Sequence, residues 1–326
     1  MSGRVVIREY GGPEVLEWAE EELPTPAPGE ALIRQTAIGL NFIDVYHREG
    51  LYPLVLPFTP GVEAVGVIEA VGEEVENVVP GDRVSYFDAT SPGSYAEARV
   101  LSADRLIKLP DAIDDVTAAG AMLKGATAEY LVRRTYPVQE GDWVLFHAAA
   151  GGVGLIASQW LRAIGANIIG TVGSKEKAAI AEQNGCQHTI LYRDEDVARR
   201  VKEITAGRGV DVVYDAVGKD TFEASLDSLK PRGTMVSFGN ASGPVRDFAP
   251  LLLTQKGSLY LTRPRVREYY ATRADFVEGT EALLDALSSG TIKVSVNQSY
   301  KLREVRQAHR DLEGRKTSGS TVLLPI

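Results

Sequence analysis

The chain has 326 residues, 44% hydrophobic and 24% charged, a globular composition long enough for two domains. No apolar run reaches the roughly 18 residues of a membrane span, and Met1-Ser2-Gly3-Arg4-Val5-Val6 enters strand-like sequence with no secretory signal, so a cytoplasmic location is expected. A net charge of −9 argues against nucleic acid or an anionic membrane as partner, and one cysteine, Cys186, supports neither an internal disulfide nor a thiolate zinc cluster and reads as a packing residue.

The first third is β-rich. Runs such as Ala31–Thr36, Val65–Val71 and Arg83–Phe87 alternate with turn signals at Pro28-Gly29, Gly72-Glu73, Pro80-Gly81-Asp82 and Pro92-Gly93, which predicts a barrel-like domain. Residues 117–134 are rich in Ala and Leu and read as a helix crossing a domain boundary. From Trp143 the rhythm becomes strand, helix, strand. Strands are expected at Trp143–His147, Asn167–Val172, His188–Leu191, Val210–Tyr214, Thr234–Phe238 and Ser258–Thr262. Helices are expected at Val153–Ile164, Lys175–Gln183, Val197–Thr205 and Thr221–Leu229. Such alternation requires right-handed crossovers and so a doubly wound parallel sheet covered on both faces: an α/β chain. The last segment, with a helix near 274–289, a strand near 292–296, a helix near 302–313 and a closing run at 321–325, is expected to pack back onto the first domain.

The strongest signal is Leu145-Phe146-His147-Ala148-Ala149-Ala150-Gly151-Gly152-Val153-Gly154, a strand, a glycine-rich turn and a helix start in the order dinucleotide binding needs. Gly151 lets backbone approach a pyrophosphate, Gly154 lets the helix lie close against the strand, and the free N–H groups of the helix start face the phosphates. The usual first glycine is replaced by Ala149, which a tight turn tolerates if its φ stays negative. About 20 residues on, where an NAD site places an acid for the ribose 2′-hydroxyl, the sequence is Gly173-Ser174-Lys175-Glu176-Lys177. Ser174 offers a hydroxyl, and Lys175 and Lys177 offset a 2′-phosphate, while Glu176 is expected to face solvent. This predicts NADPH. The four histidines, His47, His147, His188 and His309, show no metal-ligand spacing and are expected mostly in packing or surface roles, with His47 nearest the candidate pocket.

Gly141-Asp142-Trp143-Val144-Leu145, Ala149–Gly154, Gln159 and Arg162 resemble the signature of the zinc-free quinone oxidoreductases and zeta-crystallins of the medium-chain dehydrogenase/reductase superfamily. Asn41–Tyr46, Gly50–Pro53, Val236–Asn240 and Gly257–Pro264 extend the resemblance over essentially the whole chain, closest to bacterial NADPH:quinone reductases. It implies a GroES-like catalytic domain of residues 1–125 and 264–326, a Rossmann domain of residues 126–263, and a homodimer built on the edge strand 258–262. Zinc-dependent members carry Gly-His-Glu where this chain has Gly61-Val62-Glu63, and Asn41 stands near their cysteine ligand, so no metal and no alcohol oxidation are expected. The resemblance places Asn41, Tyr46 and Tyr52 at the reacting centre, with the Asn41 amide donating to the acceptor oxygen and the tyrosines either lining the pocket and relaying a proton or packing a domain interface. Asp44 either orients the nicotinamide side or makes a structural hydrogen bond. Thr127, Tyr192, Phe238, Gly239 and Arg315 join Gly151, Gly152, Val153, Gly154, Ser174 and Lys177 in the cofactor site. The implied substrate is a quinone. An alkenal or enone reductase, or a non-catalytic NADPH-binding protein of crystallin or RNA-binding type, stays open as an alternative.

Overall fold

In the computed structural model, which describes residues 1–325, short strands separated by glycine and proline turns fill the first third of the chain. These are β1 (Ser2–Val6), β2 (Glu17–Glu21), β3 (Glu30–Leu40), β4 (Glu63–Val71), β5 (Arg83–Phe87), β6 (Ala98–Ser102) and β7 (Ile107–Lys108), with helix α1 (Phe42–Arg48) between β3 and β4. Then follow α2 (Asp115–Glu129), β8 (Trp143–Phe146), α3 (Gly152–Ile164), β9 (Asn167–Val172), α4 (Lys175–Gln183), β10 (His188–Leu191), α5 (Val197–Ile204), β11 (Val210–Asp215), α6 (Phe222–Ser228) and β12 (Leu229–Ser237). The chain continues through α7 (Leu251–Gln255), β13 (Tyr260–Thr262), α8 (Val266–Tyr269), α9 (Arg273–Ser288), β14 (Val296–Lys301), α10 (Val305–Glu313) and β15 (Ser320–Leu324). It divides into two compact units: Met1–Lys124 with Thr272–Thr280 and the residues from Val294 on, and Gly125–Ala271 with Glu281–Lys293. Ile326, the last residue of the expected first domain, lies outside the described residues.

In the first unit β3 is central, pairing antiparallel with β4, β6 and β15. Ala31, Ile33 and Gln35 point inward and alternate with partly exposed Leu32 and Arg34. Register shifts at Leu32/Ile33 and Gln35/Ala37 bend the strand, and beyond the second shift every residue from Ala37 to Leu40 is buried. The bend lets one strand serve a curved seven-stranded sheet of order β14-β15-β3-β4-β5-β7, with β6 also on β3. Ile7, Ile33, Ile38, Leu40, Ile68, Tyr86, Leu302 and Leu323 form its core, each burial contributing about 1.5–3 kcal/mol. In the second unit the strand order β10-β9-β8-β11-β12-β13 is parallel throughout and reverses between β8 and β11. That is the Rossmann order, and ligands bind beyond the carboxyl ends of its strands at the reversal.

The structure departs from the sequence reading in four places. Residues 42–48 form helix α1, although the run Phe42-Ile43-Asp44-Val45-Tyr46 has poor helix formers; the Asp44 carboxylate supplies the start by accepting from the Asn41 backbone N–H at 2.9 Å. The strand expected at 292–296 lies at 296–301, because the Gln159 side-chain amide takes both backbone groups of Lys293, each at 2.9 Å, and removes that stretch from any ladder. The helix expected to run unbroken to Arg134 widens to a π-helical turn over Tyr130–Thr135. There the buried Glu129 carboxylate receives Arg134 at 2.6 Å and the Tyr270 hydroxyl at 2.8 Å. Finally, β12 begins at Leu229, five residues before the expected Thr234.

Arg48, at the end of α1, is fully buried. Its guanidinium holds both oxygens of Glu313 at 2.8 Å, donates to the Gly11 carbonyl at 2.9 Å, and reaches His309 Nδ1 at 3.0 Å. Replacing it with methionine strands these acceptors, so Arg48→Met is expected to cost about 3 kcal/mol or more in urea denaturation. Arg48→Lys should recover only part, since one ammonium cannot span the fork.

Candidate dinucleotide and active sites

The turn after β8 is built by close backbone contacts. Ala148 has φ of 55°, Gly151 N–H closes onto the Ala148 carbonyl at 2.9 Å, and Ala149 N–H bonds to the Thr171 carbonyl at 3.1 Å. The left-handed residue is thus Ala148, while Ala149 keeps a negative φ. A Cβ on Gly154 would lie 2.6 Å from the Ala148 carbonyl oxygen and 2.7 Å from that of Ala149, so only glycine lets α3 start so near the turn. A Cβ on Gly151 would meet the Ala148 oxygen at 3.2 Å. No side chain caps α3, and Gly151, Gly152 and Val153 are partly exposed, which leaves the first N–H groups and the positive helix end for a diphosphate.

At the tip of β9, Ser174 caps α4, its Oγ accepting from Lys177 N–H at 3.3 Å. Lys175 and Glu176 are exposed and Lys177 is partly so. Tyr192 follows β10, and its hydroxyl stands 2.7 Å from where a Gly173 Cβ would be, over the same tip. Ser174, Lys177 and Tyr192 therefore gather at one strand end. Phe238 and Gly239 follow β12, with Phe238 near Phe146 (centroids 5.9 Å) and Gly239 pressed onto the Ala216 backbone, where a Cβ would fall 2.2 Å from its oxygen. Thr127 is half-buried on α2 in this unit, and Arg315 is exposed after α10 in the first unit. Cys186 is buried beside Ser158, burial pushing its thiol up to about 11, so it is an unreactive packing residue.

His147, expected in a packing or surface role, is buried at the β8 tip beside the glycine turn. Asp215, ending β11, accepts from the Ser225 hydroxyl at 2.7 Å, so Ser225 in turn accepts from His147 Nε2 at 3.0 Å. His147 Nδ1 then accepts from the Thr171 hydroxyl at 3.0 Å. Burial lowers the histidine pKa against the pull of Asp215 and keeps the ring neutral for this pattern. The line of bonds joins β8, β9 and β11 at the strand reversal, beneath the glycine turn. Its only sequence signal was a histidine immediately before that turn.

On the first unit, Asn41 sits at the start of α1, 9% exposed. Its Nδ2 donates to Glu63 Oε1 at 2.7 Å, with a longer approach to the Gly39 carbonyl at 3.4 Å. The amide expected to donate to an acceptor oxygen is thus oriented by Glu63, which also receives Lys124 Nζ at 3.1 Å and Leu123 N–H at 2.7 Å. The Asp44 side chain is enclosed and makes structural bonds, accepting from Asn41 N–H and from the Tyr95 hydroxyl at 2.9 Å. Burial pushes its carboxyl up to about 7 against those two donors. Tyr46 and Tyr52 meet edge to face at 5.3 Å, Tyr46 buried and Tyr52 half-buried, and the buried His47 ring lies 6.4 Å from Tyr52. Among the described residues no three His, Cys, Asp or Glu side chains converge so as to hold a metal ion.

Comparison with known proteins matches residues 27–111 to the alcohol dehydrogenase GroES-like domain and residues 152–281 to a family described as zinc-binding dehydrogenase. The chain is 51% identical to a quinone oxidoreductase of Pseudomonas aeruginosa over the full length of both. It is 46% identical to a 2-haloacrylate reductase of a Burkholderia species over 98% of each. Among solved structures it resembles Escherichia coli quinone oxidoreductase complexed with NADPH, with a TM-score of 0.97 and 47% identity over 99% of this chain and 100% of that one.

The crowding around Gly154 gives a direct test. Gly154→Ala should weaken nicotinamide dinucleotide binding by tenfold or more, a change of about 1.4 kcal/mol in calorimetry. Ala148→Gly, which relieves the left-handed alanine, should leave binding intact and raise stability by about 0.5–1 kcal/mol.

Proposed function

The chain belongs to the quinone oxidoreductase family, and from that membership we propose that it reduces quinones by hydride transfer from NADPH without a metal. The single observation carrying this reading beyond likeness is the uncapped start of α3 against a turn where Gly154 admits no Cβ, a cradle that fits a dinucleotide diphosphate. NADPH, when bound, supplies the hydride. Gly151, Gly152, Val153 and Gly154 hold its diphosphate, while Ser174, Lys177 and Tyr192 take the 2′-phosphate, a role proposed for Arg315 as well on the family resemblance. Thr127, Phe238 and Gly239 are proposed for the remainder of the cofactor site. Asn41, held by Glu63, orients the acceptor, and Tyr46 and Tyr52 form its aromatic wall and exclude water. A second reading, reduction of an activated carbon–carbon double bond, draws support from the likeness to 2-haloacrylate reductase. NADPH consumption with a benzoquinone, a naphthoquinone and a 2-haloacrylate in parallel separates the two.

The β9 tip carries Ser174 and Lys177 and no acid in the position of a ribose ligand. NADPH is therefore expected to bind at least about tenfold more tightly than NADH in calorimetry, and equal affinities would refute the assignment.

The proposal extends to a homodimer through β13. Among the described residues this strand pairs only with β12, leaving its other edge open, and Tyr260 upon it is 62% exposed. Light scattering should give twice the 35.2 kDa chain mass, and Leu261→Pro on the edge strand should shift the population toward monomer.

A further inference from the structure

One line of hydrogen bonds in the first unit has its direction dictated by chemistry. Arg48 has donors and no acceptor, so at 3.0 Å it must donate to His309 Nδ1. His309 is then protonated on Nε2 and donates to the Tyr95 oxygen at 3.0 Å. Tyr95 consequently gives its own proton to Asp44 Oδ2 at 2.9 Å. The same oxygen accepts from Asn41 N–H at 2.9 Å. Oδ2 is thus an acceptor twice over, and any proton the Asp44 carboxyl carries resides on Oδ1.

Oδ1 is buried, and among the described residues it has no hydrogen-bond partner. One helical turn along α1, His47 Nδ1 is also buried and unpartnered, and residues three apart are neighbours on a helix surface. Both orphaned atoms belong to residues on one face of α1, and a buried polar atom without a partner can take up a group that gives or takes a proton. The charges nearby agree. Glu63, on β4, already holds Lys124 from α2, so among the described residues no cation pairs with Asp44, and Glu63, Lys124, Tyr95, His47 and, through Tyr95, His309 are the titratable groups around it. An uncompensated buried carboxylate is costly, and protonation removes the cost.

We propose that Asp44 is the proton store of the reduction, holding on Oδ1 the proton that completes the hydroquinone. The inference rests on the quinone reading above. A quinone that accepts a hydride becomes a hydroquinone anion. The Asp44 Oδ1–H bond breaks, an O–H bond forms on that anion, and the carboxylate left behind is reprotonated from solvent. Because Asp44 is enclosed, a water molecule takes the Oδ1 proton and passes one of its own on to the anion, so the carboxyl acts without touching substrate. The Arg48–His309–Tyr95 line fixes which oxygen delivers it. Burial brings the carboxyl to about 7, where it both holds and releases a proton at neutral pH.

The test combines turnover and folding. Wild-type kcat with a benzoquinone should be level below about pH 6 and fall about tenfold per unit above about pH 7, since the acid must be protonated to act. Asp44→Asn should lower kcat at pH 6 by about 100-fold or more and abolish the alkaline fall. Tyr95→Phe, which removes one bond that favours the carboxylate, should move the alkaline limb upward by about half a unit to one unit. Independently of turnover, a carboxyl whose pKa is raised on folding contributes stability at low pH that is lost as pH rises toward the folded value. The melting temperature of wild type relative to Asp44→Asn should therefore fall from about pH 4 to about pH 7 and then level. Turnover of Asp44→Asn within about threefold of wild type, an unmoved limb in Tyr95→Phe, or a melting difference flat across that window would each overturn the proposal. Wild type that turns over no quinone would defeat the functional reading instead, and the melting data would still decide whether Asp44 stores a proton.

Discussion

An arginine side chain can only donate hydrogen bonds, and burying one at the end of α1 imposes an order on everything around it. Arg48 commits His309 to a single tautomer, His309 commits Tyr95, and Tyr95 commits Asp44. The same guanidinium clamps Glu313 at the end of α10, so the last helix of the chain is tied to the first. Burial and Arg48 together hold the His309 pKa down to about 3, which keeps the imidazole neutral and its two nitrogens in distinct roles over the whole physiological range. Asn41 and the start of α1 are therefore set by a cation some distance away rather than by local helix propensity.

The second unit solves a different problem by the same means. A helix start whose first N–H groups carry no side-chain cap is poorly braced. The turn from Ala148 to Gly151 carries no side-chain cap, so its rigidity comes from below: Thr171, His147, Ser225 and Asp215 cross from β9 through β8 to β11 with every donor matched to an acceptor. Asp215 further takes the backbone N–H groups of Val217 and Gly218, binding the next loop into the same arrangement.

Much of this was legible in the sequence because it is periodic or local. Asn167–Val172, His188–Leu191 and Lys175–Gln183 appear with the expected bounds, and the glycine turn stands where residues 149–154 placed it. What escaped was long-range. Helix α1 depends on a carboxylate whose partner Tyr95 lies 51 residues away, and the missing strand at 292–296 was lost to Gln159, 134 residues earlier in the chain. No window of sequence contains either pair. The candidate residues show the same division: Ser174 and Lys177 stand out from strand-end position alone, whereas Glu63, Lys124, Tyr95 and His309 gain meaning only once the sheet brings them to Asn41 and Asp44. His147 is buried as a packing residue would be, and its place in the hydrogen-bonded line appears only when its two nitrogens are followed to Thr171 and Ser225.

The bonding line through His147 has one more implication. A neutral imidazole offers one donor and one acceptor, and here both are fixed by a carboxylate at the end of β11 and a hydroxyl on β9. Losing the Ser225 hydroxyl would free the ring to exchange its tautomer, and Thr171 would then have to rotate its own hydrogen away. The disturbance would surface at the Ala148 N–H, which approaches Thr171 Oγ1 at 3.4 Å. A serine on α6 thereby holds a vote in how the glycine turn is shaped.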